Sequence, residues 1–307
     1  TVIYPRVLYM LPHAARSAGV PEVEIVTHFL TFLSAKMAAL AAPSEAPSVT
    51  KCTAGSAPEF LSRVDHIEEG LIADGYAVLD RAFSARLSDE CRAEIVSMHQ
   101  NKVLRQATIQ AGIHSNVNQA ARSDLHTFLS SEGDASEIEK YPNLYGLCAN
   151  LHDLRELLAP CIERLEGGVR ADRASFMCAL YPANTAGYVL HRDARPERPG
   201  RKLTCLCYFN NDWMADHGGQ LRIWSQSPGN STFLDVEPLG GRLVVFRSSL
   251  WHQVFPTVQK DRFALTAWLT NHNALAAEIV EEERERLKQK FLRKTAFLLL
   301  KRRMMNR

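Results

Sequence analysis

Three side chains in the second half of the chain could bind one metal ion. His191 and Asp193 lie two positions apart, so in an extended segment their side chains project to the same side. A second imidazole, His252, follows much later in the sequence. If it lies on a neighbouring strand, two nitrogens and one carboxylate meet on one face of the ion. This ligand set holds ferrous iron and leaves adjacent coordination positions open for a co-substrate and O₂.

Arg262 begins a predicted strand whose side chains alternate between two faces. It shares one face with Ala264, Thr266 and Trp268, and an arginine on the inner side of a sheet is costly unless it meets an anion. Its guanidinium suits a carboxylate in bidentate fashion. The alternative is an arginine at a strand end that reaches water. A bare His-x-Asp is a weak signal that most often marks a histidine beside a turn aspartate, so these residues need support from their surroundings.

Further motifs surround these residues. In chain order they are Tyr181-Pro-x-Asn184-x-x-Gly187-Tyr188-x-x-His191-x-Asp193, Thr204-Cys205-x-x-Tyr208-x-Asn210-x-Asp212-Trp213, Gly218-Gly219-x-Leu221-Arg222-Ile223, Glu237-Pro238, Arg242-Leu243, His252-x-Val254-x-Pro256 and Arg262-x-Ala264-x-Thr266-x-Trp268. In order and spacing they closely resemble the Fe(II)- and 2-oxoglutarate-dependent prolyl 4-hydroxylases of the Egl-nine, oxygen-sensing type. The resemblance spans roughly Phe60 to Asn271 and is dense after Ser175.

The resemblance implies a dioxygenase that hydroxylates C4 of a prolyl residue in a protein substrate and converts 2-oxoglutarate to succinate. His191, Asp193 and His252 are then expected to hold Fe(II). Arg262 is expected to pair with the distal carboxylate of 2-oxoglutarate, helped by the Tyr208 hydroxyl. Ascorbate is the expected reductant.

Other pocket residues follow partly from strand parity and partly from the resemblance. Two sets of residues each share one strand face and could line the pocket: Met177, Ala179 and Tyr181, and Thr204, Leu206 and Tyr208. By resemblance, Tyr181 lies close to metal and co-substrate, and Thr266 holds a metal-bound water. Without the resemblance, Met177 and Leu206 are better explained as core residues. Trp268 and Tyr188 either contact the target peptide or pack.

Short predicted strands at even spacing place the chain in the α+β class with a mainly β core. They are Ser175 to Tyr181, Thr204 to Phe209, Gln220 to Trp224, Arg242 to Phe246 and Arg262 to Leu269. This rhythm predicts a double-stranded β-helix of jelly-roll or cupin type. Predicted helices at 59–75, 84–100 and 151–165 would brace it, and 110–121 is predicted to be irregular.

The 307 residues allow one catalytic domain with appendages. Residues 59–272 are assigned to the oxygenase domain, with its motif core at 175–269. Residues 1–58 form an extension with an amphipathic helix at 22–40 and an Ala/Pro/Ser linker, and 273–307 form a long charged helix. Either terminal segment could pack on the domain or bind a partner.

The net charge and the cysteine content limit the possible partners and the cellular compartment of the protein. A formal net charge of +2 gives no general attraction to nucleic acid or anionic membrane. The sequence contains no run of about 20 uncharged apolar residues, so no transmembrane segment is predicted. Seven cysteines, odd in number and without a Cys-x-x-Cys pair, predict free thiols in a reducing compartment. We expect the protein in the cytoplasm or nucleus. It could instead lie in an organelle if residues 1–19, which include no Asp or Glu, are a transit segment.

Two other functions are open at this point. One is a nucleic-acid demethylase of the AlkB type, but that family has a second arginine a few positions after the first, where Trp268 stands here. The other is a catalytically silent oxygenase fold that serves as a subunit or scaffold. The sequence departs from the resembled family at Ala194, at Arg195 to Arg201 and at Ser248 to Trp251. These departures affect the prediction of the substrate more than that of the chemistry.

Overall fold

The structure is a computed structural model that describes residues 57–274, apart from 112–113, 131–134, 196–199, 226–227 and 229–231, together with residue 277. The predicted N-terminal helix and linker and almost all of the predicted C-terminal helix lie outside these residues. No helix of the described ranges is both long and apolar enough to cross a membrane.

Four α-helices lie in the described ranges. They are α1 (Val64–Ala73), α2 (Ala85–Gln100), α3 (Ala135–Lys140) and α4 (Pro142–Leu165), with a 3₁₀ turn at Glu59–Arg63 and another at Ala215–His217. Ser84 caps α2 because its hydroxyl accepts the Leu87 N–H at 3.1 Å. The prediction that the third helix begins at Leu151 is wrong. That helix, α4, begins nine residues earlier, where Pro142 suits the first turn and the Glu94 carboxylate accepts two backbone N–H groups.

Thirteen strands in the described ranges build the β core. They are β1 (Tyr76–Leu79), β2 (Arg105–Gln106), β3 (Ile109–Ala111), β4 (His114–Asn116), β5 (Leu125–Leu129), β6 (Arg173–Tyr181), β7 (Tyr188–His191), β8 (Arg201–Tyr208), β9 (Leu221–Trp224), β10 (Phe233–Val236), β11 (Leu243–Arg247), β12 (Trp251–Val254) and β13 (Arg262–Thr270). All pairings are antiparallel. The large sheet has the order β1-β11-β8-β13-β6-β5-β2, and the small sheet has the order β10-β9-β12-β7. The prediction of a mainly β, antiparallel, jelly-roll-like fold is confirmed.

Strand β13 runs through the middle of the large sheet and is buried along its whole length. Its odd-numbered residues, such as Phe263 and Leu265, pack in the cluster that contains the helices. Its even-numbered residues, such as Ala264 and Trp268, belong to a second cluster that includes Leu221 of the small sheet. The alternation expected from the sequence therefore separates a helix-covered outer face from an inner face.

Sequence periodicity missed several short strands. The segment 110–121, predicted to be irregular, includes most of a hairpin in which Gln110 pairs with Ser115. Strand β7 was missed because apolar and polar residues do not alternate along it: Val189 and Leu190 are adjacent apolar residues, and both are exposed. Pairing with β12, rather than its own pattern, makes β7 a strand.

Candidate metal centre and co-substrate pocket

The two histidines of the predicted metal site face each other across a strand pair. His191 on β7 lies directly opposite His252 on β12, with ring centroids 4.2 Å apart. Asp193 follows just after the end of β7, and one ligand atom from each of the three residues lies within 4.8 Å of the others. The fold thus brings together the three side chains that the sequence singled out, although Asp193 lies beyond the strand.

Backbone carbonyls fix which nitrogen of each histidine faces the cluster. Nδ1 of His191 lies 2.7 Å from the carbonyl oxygen of Val189, and Nδ1 of His252 lies 3.0 Å from that of Leu250. A carbonyl only accepts, so each Nδ1 carries a proton, and in the neutral ring the lone pair lies on Nε2. Both Nε2 atoms lie toward Asp193, at 3.9 Å and 3.7 Å from its oxygens. This tautomer is the one that a metal ligand requires.

Two donors hold one oxygen of Asp193. Oδ2 accepts the Thr204 hydroxyl at 2.8 Å and the Trp268 indole N–H at 2.9 Å. Oδ1 lies 3.7 Å from an Arg201 nitrogen. Burial alone would raise the pKa of Asp193, but its interactions with His252, Arg201 and His191 and the Trp268 hydrogen bond outweigh burial and hold the pKa well below its usual range. The carboxylate is therefore ionised at neutral pH.

A stack of side chains packs against the ring of His191. The Tyr188 ring lies on the His191 ring at 3.6 Å, and the Arg122 guanidinium lies over Tyr188 at 4.7 Å. Asp124 fixes Arg122 through two hydrogen bonds of 2.7 and 2.9 Å. Burial, together with the neighbouring His252, lowers the pKa of His191 to about 3. The imidazole is consequently neutral at physiological pH.

Arg262 is buried on the inner face, only 3% exposed, and its Nε donates to the Gly219 carbonyl at 2.8 Å. The rings of Tyr181 and Tyr208 flank its guanidinium at 5.0 and 4.9 Å. Within the described ranges no carboxylate pairs with it. Gly219 has a φ of +77°, and a Cβ there would lie 2.9 Å from Arg262 Cδ. Glycine is needed at 219 because it lets the arginine pass close to the backbone.

Tyr208 supplies a second polar group without a counterpart. It is fully buried, and its hydroxyl has no hydrogen-bond partner among the described residues. Burial raises the pKa of Tyr208 and the Arg262 charge opposes the shift, although no hydrogen bond of standard geometry joins the two groups. A buried guanidinium beside a buried free hydroxyl is the arrangement that an incoming carboxylate satisfies.

Comparison with known proteins identifies the family. Residues 176–270 match the 2OG-Fe(II) oxygenase superfamily. The mouse prolyl hydroxylase EGLN3 is 32% identical over 234 residues, which cover 74% of this chain and 89% of the relative. This chain belongs to the prolyl hydroxylases of the Egl-nine type.

Solved structures agree with this assignment. A Trichoplax adhaerens prolyl hydroxylase, solved with a hypoxia inducible factor oxygen degradation domain peptide, superimposes with a TM-score of 0.60 at 24% identity, over 71% of this chain and 93% of that one. A Pseudomonas putida prolyl-4-hydroxylase gives a TM-score of 0.54 at 26% identity, over 67% and 98%. The first likeness supports the fold alone.

Members of this oxygenase family use Fe(II) and 2-oxoglutarate, and the residues of this prolyl hydroxylase fit both. Two Nε2 lone pairs and one carboxylate match the ligand preference of ferrous iron. Arg262 and the unpartnered Tyr208 hydroxyl suit the distal carboxylate of the co-substrate. Ala264 and Ala179, two small residues that pair in register, lie on the same inner face.

The remaining predicted residues of this hydroxylase lie on the inner face of the large sheet. Thr266 pairs in register with both Met177 and Leu206, and all three are buried. Tyr181 is also buried, beside Arg262. The sequence left Trp268 undecided between packing and substrate contact, and in the structure its indole N–H donates to Asp193. Thr204 was assigned only to pocket lining, and strand parity with Tyr208 is the signal that places it on the metal side.

A cavity of about 640 Å³ lies elsewhere, where the edge strands β1 and β10 of the two sheets meet. Its lining includes Val78, Asp235 and Arg242, and none of the metal-site residues. The guanidinium of Arg242 pairs there with Asp80 at 2.5 Å, so its charge is already matched. The catalytic chemistry therefore belongs to the inner face near β7 and β12, and not to this cavity.

Proposed function

We propose that this protein hydroxylates C4 of a prolyl residue in a protein substrate. In the balanced reaction, one oxygen atom of O₂ enters the prolyl C–H bond and the other enters succinate, while 2-oxoglutarate loses CO₂. The observation that carries the proposal is the cluster of His191, Asp193 and His252 within 4.8 Å on a fold that also buries Arg262 with no carboxylate partner in the described ranges. Relatives named as prolyl hydroxylases support the choice of proline.

In this proposal His191, Asp193 and His252 hold Fe(II), which supplies the oxidising chemistry once O₂ and 2-oxoglutarate are bound. Each histidine binds through Nε2, because Nδ1 is committed to a backbone carbonyl. Asp193 contributes an ionised carboxylate whose Oδ2 is held by two donors. The protein's task is to fix these groups before the metal arrives, so that little rearrangement accompanies binding.

Arg262 and Tyr208 are proposed to bind the distal carboxylate of 2-oxoglutarate. The guanidinium is oriented by the Gly219 carbonyl and by two aromatic rings, so its free nitrogens form a preset fork. Tyr181, Leu206, Thr266 and Met177 are proposed to line the pocket. Their burial excludes water from the reacting centre. Ascorbate is proposed as the reductant that restores ferrous iron.

An aromatic surface beside the metal is proposed to receive the substrate segment. Phe128 is 58% exposed and its ring lies 6.1 Å from that of Trp268, which contacts Asp193. The apolar faces of prolyl rings suit such a surface. The Trichoplax prolyl hydroxylase was solved with a peptide fragment, and by analogy we propose a protein segment as the substrate here.

We also propose that residues 59–272 form the catalytic domain and that the protein works in a reducing compartment. The six cysteines of the described ranges are all free and buried, which agrees with a protein that does not depend on disulfides. The segments 1–58 and 273–307 are proposed to act as attachments rather than as parts of the catalytic machinery.

The test uses the full chain with Fe(II), 2-oxoglutarate, ascorbate, ¹⁸O-labelled O₂ and a lysate from its own source. We expect peptides in which one proline carries one heavy oxygen, and acid hydrolysis should release 4-hydroxyproline. The Asp193→Ala variant serves as the inactive control. Heavy oxygen on another residue type would overturn prolyl hydroxylation. Absence of both metal uptake and succinate would favour the silent scaffold instead.

A further inference from the structure

A buried serine lies behind the metal-binding carboxylate. Ser248 has no exposed surface, and its hydroxyl oxygen lies 2.9 Å from the hydroxyl oxygen of Thr204. Thr204, which is 1% exposed, in turn donates to Asp193 Oδ2 at 2.8 Å. The three groups form a chain of hydrogen bonds that ends on the carboxylate.

Counting protons fixes the direction of this chain. The Thr204 hydroxyl donates to Asp193 Oδ2, so its single proton points to that oxygen. The contact between the two hydroxyls then requires the Ser248 proton to point to Thr204. Each donor polarises the next, so the Ser248 hydrogen bond strengthens the one that Thr204 makes to Asp193. With both hydroxyls buried, water does not compete for these positions.

The backbone of Ser248 holds the same loop by a second route. Its N–H donates to the Lys202 carbonyl at 3.0 Å, and its carbonyl accepts the N–H of Ala194 at 2.8 Å. Ala194 is the residue directly after Asp193. Ser248 therefore joins the start of β8 to the loop that carries the metal ligand. It also lies at the start of the segment 248–251, which departs from the Egl-nine pattern.

We propose that Ser248 is a positioning residue for the metal-binding carboxylate. Its hydroxyl keeps Thr204 in the orientation that holds Asp193 Oδ2, and this leaves Oδ1 preset for the ion. The inference rests on the proposed metal site. It assigns to Ser248 no contact with substrate, co-substrate or metal, and predicts an effect on metal affinity that reaches the ion only through Thr204.

The test measures binding of Mn(II), a stable substitute for Fe(II), to the full chain without 2-oxoglutarate, by electron paramagnetic resonance of the free ion. Ser248→Ala should weaken Mn(II) binding by about tenfold, the lower end of the range for outer partners of metal ligands. Ser248→Thr, which keeps the hydroxyl, should restore most of the affinity. Thr204→Val should weaken binding at least as much as Ser248→Ala, and adding Ser248→Ala to Thr204→Val should have no further effect.

Ser88→Ala is the matched control, because Ser88 is also fully buried and its hydroxyl has no partner among the described residues. It should leave the Mn(II) affinity unchanged. Thermal melting of the metal-free variants separates a folding defect from a positioning defect, and Ser248→Cys provides the comparison at nearly constant volume if Ser248→Ala does not fold. Wild-type affinity in Ser248→Ala, or full additivity with Thr204→Val, would overturn the role of Ser248. A wild-type chain that takes up no Mn(II) would overturn the proposed function itself.

Discussion

Trp268 donates its indole N–H to Asp193 over 2.9 Å, which ties the central strand of the large sheet to the metal-binding loop. The same strand, β13, begins with Arg262. One rigid element therefore positions both the proposed co-substrate anchor and one metal ligand. Because β13 pairs with β6 on one side and β8 on the other, neither group can shift without disturbing the sheet.

Replacing Trp268 tests this connection. Trp268→Phe keeps a ring on the inner face but removes the N–H, so Asp193 Oδ2 retains only the Thr204 donor. We expect roughly tenfold weaker Mn(II) binding, in the range seen for outer partners of metal ligands. The control is Trp224→Phe on the small sheet, where the ring contacts Phe233 rather than any metal-site residue. Unchanged affinity in Trp268→Phe would show that Thr204 alone orients the carboxylate.

Loss of a histidine ligand should be far more severe. His252→Ala removes one of three ligands, and we expect less than one Mn(II) or Fe(II) per chain under conditions that saturate the wild type. Gln253→Ala, the neighbouring position in β12 with its side chain on the other face, should bind normally. Equilibrium dialysis with metal analysis measures both. Stoichiometric high-affinity metal in His252→Ala would refute its assignment as a ligand.

Arg262 should set the preference for a dicarboxylic co-substrate. Arg262→Gln removes the charge, and the KM for 2-oxoglutarate should rise by about 100-fold or more, because a charge-assisted bidentate pair in a buried site is lost. Arg262→Lys should recover only part of this, since an ammonium lacks the planar fork. Metal affinity should stay near the wild-type value in both.

A second co-substrate sharpens the Arg262 test. The compound 2-oxobutyrate carries no distal carboxylate, so the wild type should discriminate strongly against it. Arg262→Gln should treat the two acids more nearly alike. Succinate release and its counterpart from 2-oxobutyrate can be followed in parallel. An Arg262→Gln variant that keeps the wild-type preference would place the carboxylate anchor elsewhere.

Gly219 offers an indirect way to move Arg262. An alanine methyl there would lie 2.9 Å from Arg262 Cδ on a residue with φ +77°. Gly219→Ala should therefore raise the KM for 2-oxoglutarate and also cost about 1 kcal/mol of stability through backbone strain. Gly167→Ala is the matched control, because Gly167 has φ +64° with nothing within 4 Å. It should reproduce the stability loss without the change in KM.

Local signals in the sequence account for part of the candidate site and for the mainly β architecture, and the resemblance to the Egl-nine family supplied the rest. His191 and Asp193 are two apart, and β13 is a mostly apolar run that is buried along its whole length. The support for Asp193 could not be read in the same way. The contact between Thr204 and Ser248 joins residues 44 positions apart, and neither residue type requires such a contact. Only the register of β8 against β11, which no local pattern specifies, brings the two regions together.

The beginning of α4 was likewise missed for a long-range reason. Its N-terminus is capped from another helix, because Glu94 of α2 accepts the backbone N–H groups of Asn143 and Leu144 at 2.9 Å each. Capping motifs are recognised in sequence by a nearby Ser, Thr, Asp or Asn, and here the position before Pro142 is Tyr141. A cap supplied from about fifty positions away has no sequence signature.

Glu94 also predicts a pH dependence of stability. Burial raises its pKa, and this outweighs the hydrogen bonds from Asn143 and Leu144, which act in the opposite direction. The folded pKa therefore lies above the unfolded value of about 4.3. The stabilising contribution is complete below that unfolded value and is lost as the pH rises through the folded pKa.

Glu94→Gln removes this titration but also replaces one acceptor by a donor opposite a backbone N–H. It should cost about 1–2 kcal/mol at neutral pH, the size of a lost helix cap. Urea unfolding of both proteins should be measured from below the unfolded pKa of about 4.3 up to neutral pH. The difference in free energy of unfolding between the wild type and Glu94→Gln should shrink as the pH rises. An advantage that grows with pH would mean that the charged carboxylate is the form the fold prefers, with the helix N-terminus outweighing the effect of burial.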